Sequence, residues 1–172
     1  MIELEKTYLA KYLPKDLKAC SHKEIIDVYI PQDRDHPVLR LRKNGSNYEL
    51  TKKTPVNEND ISIQQEQTIV LDEVEFAACE KLSWKKIQKI RYNYEYQWLI
   101  AEIDIFQWDL LGLILVDFEF TSVQDKDSFI MPDFCLEEIT QELFTAWGVL
   151  CGKSYEDIKN NLNKFHYQKL FL

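Results

Sequence analysis

The chain has 172 residues, 45% of them hydrophobic, which is enough for one domain with its own core. Its 29 acidic and 21 basic residues give a net charge of -8 at pH 7, which argues against nonspecific binding of nucleic acids or anionic membranes. The four cysteines form no C-x-x-C pair, and the sequence lacks a signal pattern and the roughly 20 apolar residues of a membrane span. We therefore predict a cytoplasmic protein with reduced thiols and no membrane partner.

Short runs of alternating polar and apolar residues predict a mainly β protein. The expected strands cover 2–9, 25–30, 37–43, 47–53, 61–70, 86–96, 98–106 and 113–121. Asn44-Gly45 and Gly112 lie in short connections, which predicts two antiparallel hairpins.

Helical patterns are fewer. We expect short helices in 14–20 and 71–82, and an amphipathic helix after Ser154, which begins an approximate capping box with Asp157. The prediction is a single domain over 1–172, in which strands give way near residue 135 to a C-terminal helical segment over 136–172.

Five of the predicted strands carry two charges of the same sign on either side of one apolar residue. The pairs are Glu3 and Glu5, Arg40 and Arg42, Lys89 and Arg91, Glu102 and Asp104, and Asp117 and Glu119. Side chains two apart share a face of a strand, so each pair brings like charges together. A solvated sheet face would explain one such pair, but such faces usually mix signs, and five pairs favour another arrangement.

A closed barrel with its charged faces inward explains the pattern. Acidic pairs inside it could hold divalent cations, and basic pairs could hold a multiply charged anion. Helices, or a second copy of the chain in a homodimer, would cover the apolar exterior. Acids, bases and a metal together suit phosphoryl chemistry.

Six segments, in order, resemble the CYTH superfamily, also called triphosphate tunnel metalloenzymes. They are "ELEKTYLAKYLP", similar to the family's ExExK strand, "LRLRKNGSNYELTKK", "KIRY", "AEIDIF", "LVDFEF" and "MPDFCLEEIT". The resemblance implies an eight-stranded antiparallel β-barrel that binds triphosphates with Mg²⁺ or Mn²⁺. With the helical patterns given above, the expected fold is this barrel with flanking helices and a C-terminal helical tail.

The resemblance also implies roles for individual residues. Glu3, Glu5, Asp117 and Glu119 match the family's metal-binding acids, and we expect Glu3, Glu5 and Glu119 to be catalytic. The expected substrate-binding cations are Arg40, Arg42, Lys53, Lys89, Arg91 and Lys153. Asp104 could contact the metal or support its ligands, and Glu66 resembles a family glutamate.

Several positions depart from the family pattern. Thr7 stands where the family has the lysine of ExExK, and Lys6 should face the other way. Gln64 and Thr68 occupy places that are often charged, and Leu136 replaces a usual glycine. The tail contains an inserted segment before "GKSY", which holds Lys153.

The sequence therefore predicts a metal-dependent triphosphatase acting on inorganic triphosphate or on a nucleoside or thiamine triphosphate, without sequence-specific nucleic-acid binding. A class IV adenylate cyclase remains an alternative within the family. A noncatalytic polyphosphate- or nucleotide-binding module is an alternative outside enzymes, because Thr7 removes a charge from the site. A carrier barrel with an apolar lining is disfavoured by the charge pairs.

Overall fold

The computed structural model describes residues 2–57 and 60–172. Nine strands follow one another along the chain: β1 (Ile2–Ala10), β2 (His22–Ile30), β3 (Leu39–Asn44), β4 (Asn47–Asn57), β5 (Asp60–Leu71), β6 (Lys86–Tyr96), β7 (Leu99–Phe106), β8 (Ile114–Phe120) and β9 (Cys135–Glu138). The α-helices are α1 (Glu73–Glu80), α2 (Val123–Ser128), α3 (Trp147–Leu150) and α4 (Tyr155–Lys164). Single 3-10 turns cover Leu17–Ala19, Trp108–Leu110 and Leu143–Thr145.

The sheet closes on itself through β1. Its order is β5-β4-β3-β2-β6-β7-β8-β1, and β5 also pairs with β1, with Glu3 opposite Gln64. All the pairings are antiparallel, and β9 adds a ninth strand beside the second half of β1. The predicted fold class, an eight-stranded antiparallel barrel with few helices, is confirmed.

Local sequence signals account for the turns and helix starts. Gly45 lies between β3 and β4 with φ of +61°, and Gly112 lies between β7 and β8 with φ of +101°, a region that favours glycine. Asp72 and Ser154 each form a capping box, at the start of α1 and α4. Both predicted hairpins and the C-terminal helix are therefore present.

Apolar residues cover the outside of the barrel. Leu4, Ile103 and Phe118 point outward into one cluster, under Phe129 and Phe134 from the chain after β8. A smaller cluster joins Val28 and Leu41 to Phe76 of α1. Segments of the chain itself thus cover these parts of the apolar exterior, while Ile2 of β1 and Ile69 of β5 stay exposed.

One end of the barrel interior is apolar instead of charged. Leu9 follows Glu3, Glu5 and Thr7 on the inward face of β1 and joins a cluster with Phe106 and Leu115. Ile158 and Leu162 of α4 belong to the same cluster, so the C-terminal segment packs at this end.

The structure corrects three details of the sequence prediction. The change from strands to helices does not fall near residue 135, because β9 begins there and pairs with β1. The helix expected in 14–20 is one 3-10 turn, in which only Leu17 is buried, and α2 and α3 were not predicted. Among the described helices, none has both the length and the apolar character needed to cross a membrane.

Candidate active site

A cavity of about 250 Å³ occupies the charged part of the barrel interior. Its walls come from inward positions of successive strands, which recur every second residue. Eight of the predicted site residues line it: Glu3, Glu5, Arg40, Arg42, Lys53, Arg91, Asp117 and Glu119. Strand closure therefore brings together residues up to 116 positions apart in the sequence, from Glu3 to Glu119.

Lys53 lies among three carboxylates on one wall of the cavity. Its Nζ atom is in contact with Glu3, 3.6 Å from Glu5 Oε2 and 3.4 Å from Glu66 Oε2. Burial by itself would lower the pKa of Lys53, but the charges of Glu5 and Glu3 outweigh burial and raise it. Lys53 is therefore a firmly charged ammonium group in an acidic setting. Lys52, its neighbour, is exposed.

The carboxylates in turn differ in how they are held. Burial raises the pKa of Glu3, although the charge of Lys53 opposes this shift. Glu5 accepts a hydrogen bond of 2.7 Å from Gln64 Nε2, so the amide that replaces a common family charge orients this carboxylate. Glu5 also pairs in register with Glu119 of β8, which is exposed.

The donor chemistry of this wall fits a hard divalent cation, since carboxylate oxygens are the preferred ligands of Mg²⁺ and Mn²⁺. Within residues 2–57 and 60–172, however, no three acids, histidines or cysteines converge into a set that could hold a metal. The ammonium group of Lys53 instead lies among Glu3, Glu5 and Glu66. A metal bound by Glu3 and Glu5 would require these side chains to rearrange.

Arg42 is held by a buried aspartate that was not predicted as a site residue. Its Nε and Nη2 atoms donate hydrogen bonds of 2.7 and 2.8 Å to the two oxygens of Asp27, which is 1% exposed. Burial alone would raise the pKa of Asp27, but the charge and hydrogen bonds of Arg42 lower it. The same pairing raises the pKa of Arg42 against the effect of burial.

Arg91 and Lys89 share Asp104 on the next strand. Arg91 donates to both oxygens of Asp104 at 2.7 and 2.6 Å, also contacts Glu102, and reaches Asp117 at 3.2 Å. Lys89 Nζ donates to Asp104 at 2.6 Å and is fully buried. Burial and the charge of Arg91 lower the pKa of Lys89, although Asp104 opposes this. Lys89 and Asp104 therefore lie behind the cavity wall.

Arg40 differs from Arg42, Lys53 and Arg91, the other lysine and arginine residues of the cavity wall. It is 8% exposed and lines the cavity, and its Nε atom is buried with no hydrogen-bond partner among the described residues. A buried donor without a partner is costly, because it has lost its hydration. Arg40 is thus the group in this wall that most needs an anionic ligand.

Thr7, at the position of the lysine in the family pattern, is hydrogen-bonded to an acidic residue of the site. Its hydroxyl donates a hydrogen bond of 2.7 Å to Asp117, while Lys6 faces away and pairs with Glu138 of β9 at 3.2 Å. Burial and the nearby charge of Asp104 raise the pKa of Asp117 to about 7, against the effect of Arg91. Thr7 therefore contacts an acidic site residue without adding a charge.

Comparison with known proteins agrees with this geometry. The chain is 30% identical over 149 residues to an inorganic triphosphatase of Nitrosomonas europaea, spanning 83% of this chain and 91% of the relative. A crystal structure of an inorganic triphosphatase superposes with a TM-score of 0.63 at 25% identity, covering 87% of this chain and 93% of that one. A protein of Pyrococcus horikoshii shares the fold, with a TM-score of 0.53 at 15% identity over 86% of this chain and 90% of that one. No family model matches the sequence.

The chain belongs to the CYTH superfamily of triphosphate tunnel proteins. The superfamily suggested by the six sequence segments is therefore confirmed. The roles assigned to single residues of this CYTH protein stay predictions.

Two predicted site residues lie away from the cavity of this CYTH protein. Lys89 is buried behind the wall, as described, and Lys153 lies beside Cys151 and Gly152 in a separate surface depression. The placement of Lys153 gives no support to a role in substrate binding. Glu66, which resembles a family glutamate, also lines the cavity.

Sequence reasoning missed several residues in or beside the cavity. Tyr29 lines the cavity, and so does Glu49, which faces Arg42 across β3 and β4. Asp27 shares the inward face of β2 with Tyr29 and holds Arg42 from behind the wall. The polar Asp27 within the apolar run "EIIDVYI" was the available signal, since an acid there needs a buried partner. Trp147 gave no such signal, because it reaches the cavity only through the folding of the tail.

Proposed function

We propose that this CYTH protein is a metal-dependent triphosphatase, which hydrolyses a phosphoanhydride bond of inorganic triphosphate or of an organic triphosphate. The observation that supports this most is Arg40, whose buried Nε atom lacks a partner within the described chain and lies on the cavity wall. The relative from Nitrosomonas europaea is an inorganic triphosphatase, which supports the same reaction.

The cavity contains complementary groups for a charged substrate. Arg40, with Arg42 and Arg91 beside it, would bind the phosphate oxygens through charge-assisted hydrogen bonds. Lys53 would supply a further cation once the substrate competes with its carboxylate partners. These residues would hold the phosphate chain along the barrel and stabilise the charge that develops on its oxygens.

Mg²⁺ or Mn²⁺ is part of the proposal. Glu3, Glu5, Asp117 and Glu119 would hold the ion, which when bound would draw charge from the phosphate oxygens. The cavity wall carries more carboxylates than the single positive charge of Lys53 can neutralise. This supports the need for a further cation.

Phosphate release tests this proposal directly. The purified protein is given tripolyphosphate, ATP, GTP or thiamine triphosphate, with Mg²⁺, with Mn²⁺ or with a chelator, and the products are identified. We expect orthophosphate release that depends on the metal. Cyclic AMP with pyrophosphate would indicate a cyclase instead, and binding of the substrates without turnover would indicate a binding module.

Matched variants test the acidic wall. Glu3→Gln and Glu119→Gln should reduce metal-dependent turnover at least 100-fold and leave the fold intact, because each removes a carboxylate charge and little volume. Glu137→Gln, at an exposed site on β9, is the control and should keep the wild-type rate. Wild-type turnover in both cavity variants would overturn the assignment of these acids.

A further inference from the structure

The segment that follows β9 closes one end of the cavity. Residues between Ile139 and Gly148 contribute to its lining, including Leu143 of the 3-10 turn and Trp147 of α3. Most of these residues belong to 141–151, which the resemblance to the family suggests as an insertion before "GKSY". The segment after β9 therefore shapes the cavity as well as the outside of the barrel.

Trp147 covers the innermost cations of the barrel. Lys89 Nζ lies 2.9 Å from the centroid of its ring, and the guanidinium carbons of Arg91 and Arg42 lie 5.4 and 5.8 Å away. Phe106 packs edge-on against the same ring at 6.2 Å. The ring thus separates Lys89 from the cavity and leaves Arg42 and Arg91 as the last cations along its wall.

A close backbone contact fixes the position of this tryptophan. Gly148 follows Trp147, and a Cβ atom at Gly148 would lie 2.3 Å from the carbonyl oxygen of Pro37. Only glycine permits this approach, so α3 is held against the segment that precedes β3. The backbone that carries the ring is therefore held in place beside the cavity.

Size and charge together limit what can bind beside this ring. The cavity volume of about 250 Å³ is below the ~300–1,000 Å³ typical of pockets for drug-sized ligands. The face of an aromatic ring is electron-rich, so it attracts cations and is a poor surface for a phosphate group. A phosphate chain that reaches Arg42 and Arg91 would meet the indole ring next, with Lys89 on the far side of the ring.

We propose that Trp147 is a specificity-determining residue, which restricts the substrate to a short linear phosphate chain by ending the row of accessible cations at Arg42 and Arg91. This inference rests on the proposed triphosphatase function and adds a limit on the length of the substrate. Trp147 thereby favours tripolyphosphate over longer polyphosphates. Removal of the ring opens space and exposes Lys89 as an additional phosphate ligand.

The test compares tripolyphosphate with tetrapolyphosphate in the presence of Mg²⁺. We expect wild-type kcat/KM to be higher for tripolyphosphate, and Trp147→Ala to shift the ratio of the two kcat/KM values at least tenfold toward tetrapolyphosphate. Trp147→Leu, which keeps an apolar side chain against Phe106, should shift the ratio in the same direction and serves if Trp147→Ala does not fold. Trp98→Ala, at a site 68% exposed, should leave the ratio unchanged.

A change of the ratio separates specificity from structural damage, because damage would lower both rates together. A folded Trp147 variant with the wild-type ratio would overturn the inference. If the wild type shows no turnover, the triphosphatase proposal fails. Calorimetry then gives the Kd of each polyphosphate, and the ratio of the two Kd values replaces the ratio of kcat/KM. An unchanged Kd ratio, or no binding of either polyphosphate, would then also overturn the role of Trp147.

Discussion

Two groups of charged residues in the barrel have similar composition and very different surroundings. The buried cluster contains Asp27, Arg42, Lys89, Arg91 and Asp104, in which Lys89 and Asp104 are fully buried. The open cluster contains Glu3, Glu5, Arg40, Lys53 and Glu66. The side chains of its three glutamates and of Lys53 are 17–23% exposed.

The difference lies in how the cations are paired. In the buried cluster every cation donates to a buried aspartate at 2.6–2.8 Å. In the open cluster Lys53 is shared among three acids, and the Nε atom of Arg40 has no partner within the described ranges. Complete pairs fix the position of their side chains, including those of Arg42 and Arg91 that line the cavity, whereas incomplete ones can also exchange partners for a ligand. Three predictions test this division, and a fourth concerns a lysine outside both clusters.

The largest effect should follow from Asp104→Asn. This change leaves Lys89 and Arg91 buried without their shared carboxylate, and loss of one partner from a buried ion pair costs about 3–5 kcal/mol. Urea denaturation should show a decrease of that size in the free energy of unfolding. Glu5→Gln in the open cluster is the comparison and should change it by less than about 1 kcal/mol. Equal losses in both variants would remove the distinction between the clusters.

Arg40→Ala should affect ligand binding more than stability. Loss of hydrogen bonds to a charged group costs ~1.5–3 kcal/mol, so we expect the Kd for tripolyphosphate to rise roughly 10- to 100-fold. Unfolding free energy should stay within about 1 kcal/mol of wild type, since the described structure gives Nε no partner to lose. Isothermal calorimetry and denaturation measure the two quantities. Unchanged affinity in the folded variant would exclude Arg40 from the binding site.

Asp27 should make the free energy of unfolding depend on pH in the acidic range. Its pKa is lowered in the folded state by Arg42, against the effect of burial, so the unfolded chain binds more protons as pH falls. The stabilisation is complete above the unfolded value of about 4 and is lost as pH falls toward the folded value. Asp27→Asn should therefore reduce the slope of unfolding free energy against pH below pH 4 by up to ~1.4 kcal/mol per pH unit. Asp33→Asn, at an exposed site, is the control, and equal slopes in all three proteins would contradict the prediction.

Lys153→Ala should have the smallest effect. Lys153 lies outside the cavity, in a surface depression beside Cys151, so kcat/KM for tripolyphosphate should change by less than about twofold. Steady-state kinetics beside Arg40→Ala measures the contrast. A loss comparable to that of Arg40→Ala would show that the tail moves toward the substrate on binding.

The sequence predicted the strands, their inward faces and the superfamily because these depend on local patterns. A two-residue period is a property of the backbone, so Glu3, Arg40 and Asp117 could be assigned to one interior without knowledge of the strand order. The choice of Lys53 over Lys52 followed the same parity and the family pattern, and the structure places Lys53 in the cavity.

The tertiary structure decided which charged side chains are fully paired and which of them line the cavity. Strand register placed Asp27 opposite Arg42 and Arg91 opposite Asp104, and it thereby withdrew Lys89 from the cavity although its spacing matched that of Arg91. The folding of the tail placed Trp147 over Lys89, more than 50 residues away in the sequence. Charge and period are local properties that a sequence displays, whereas the pairing of a charge depends on which distant residue reaches it first, and only the closed barrel determines that.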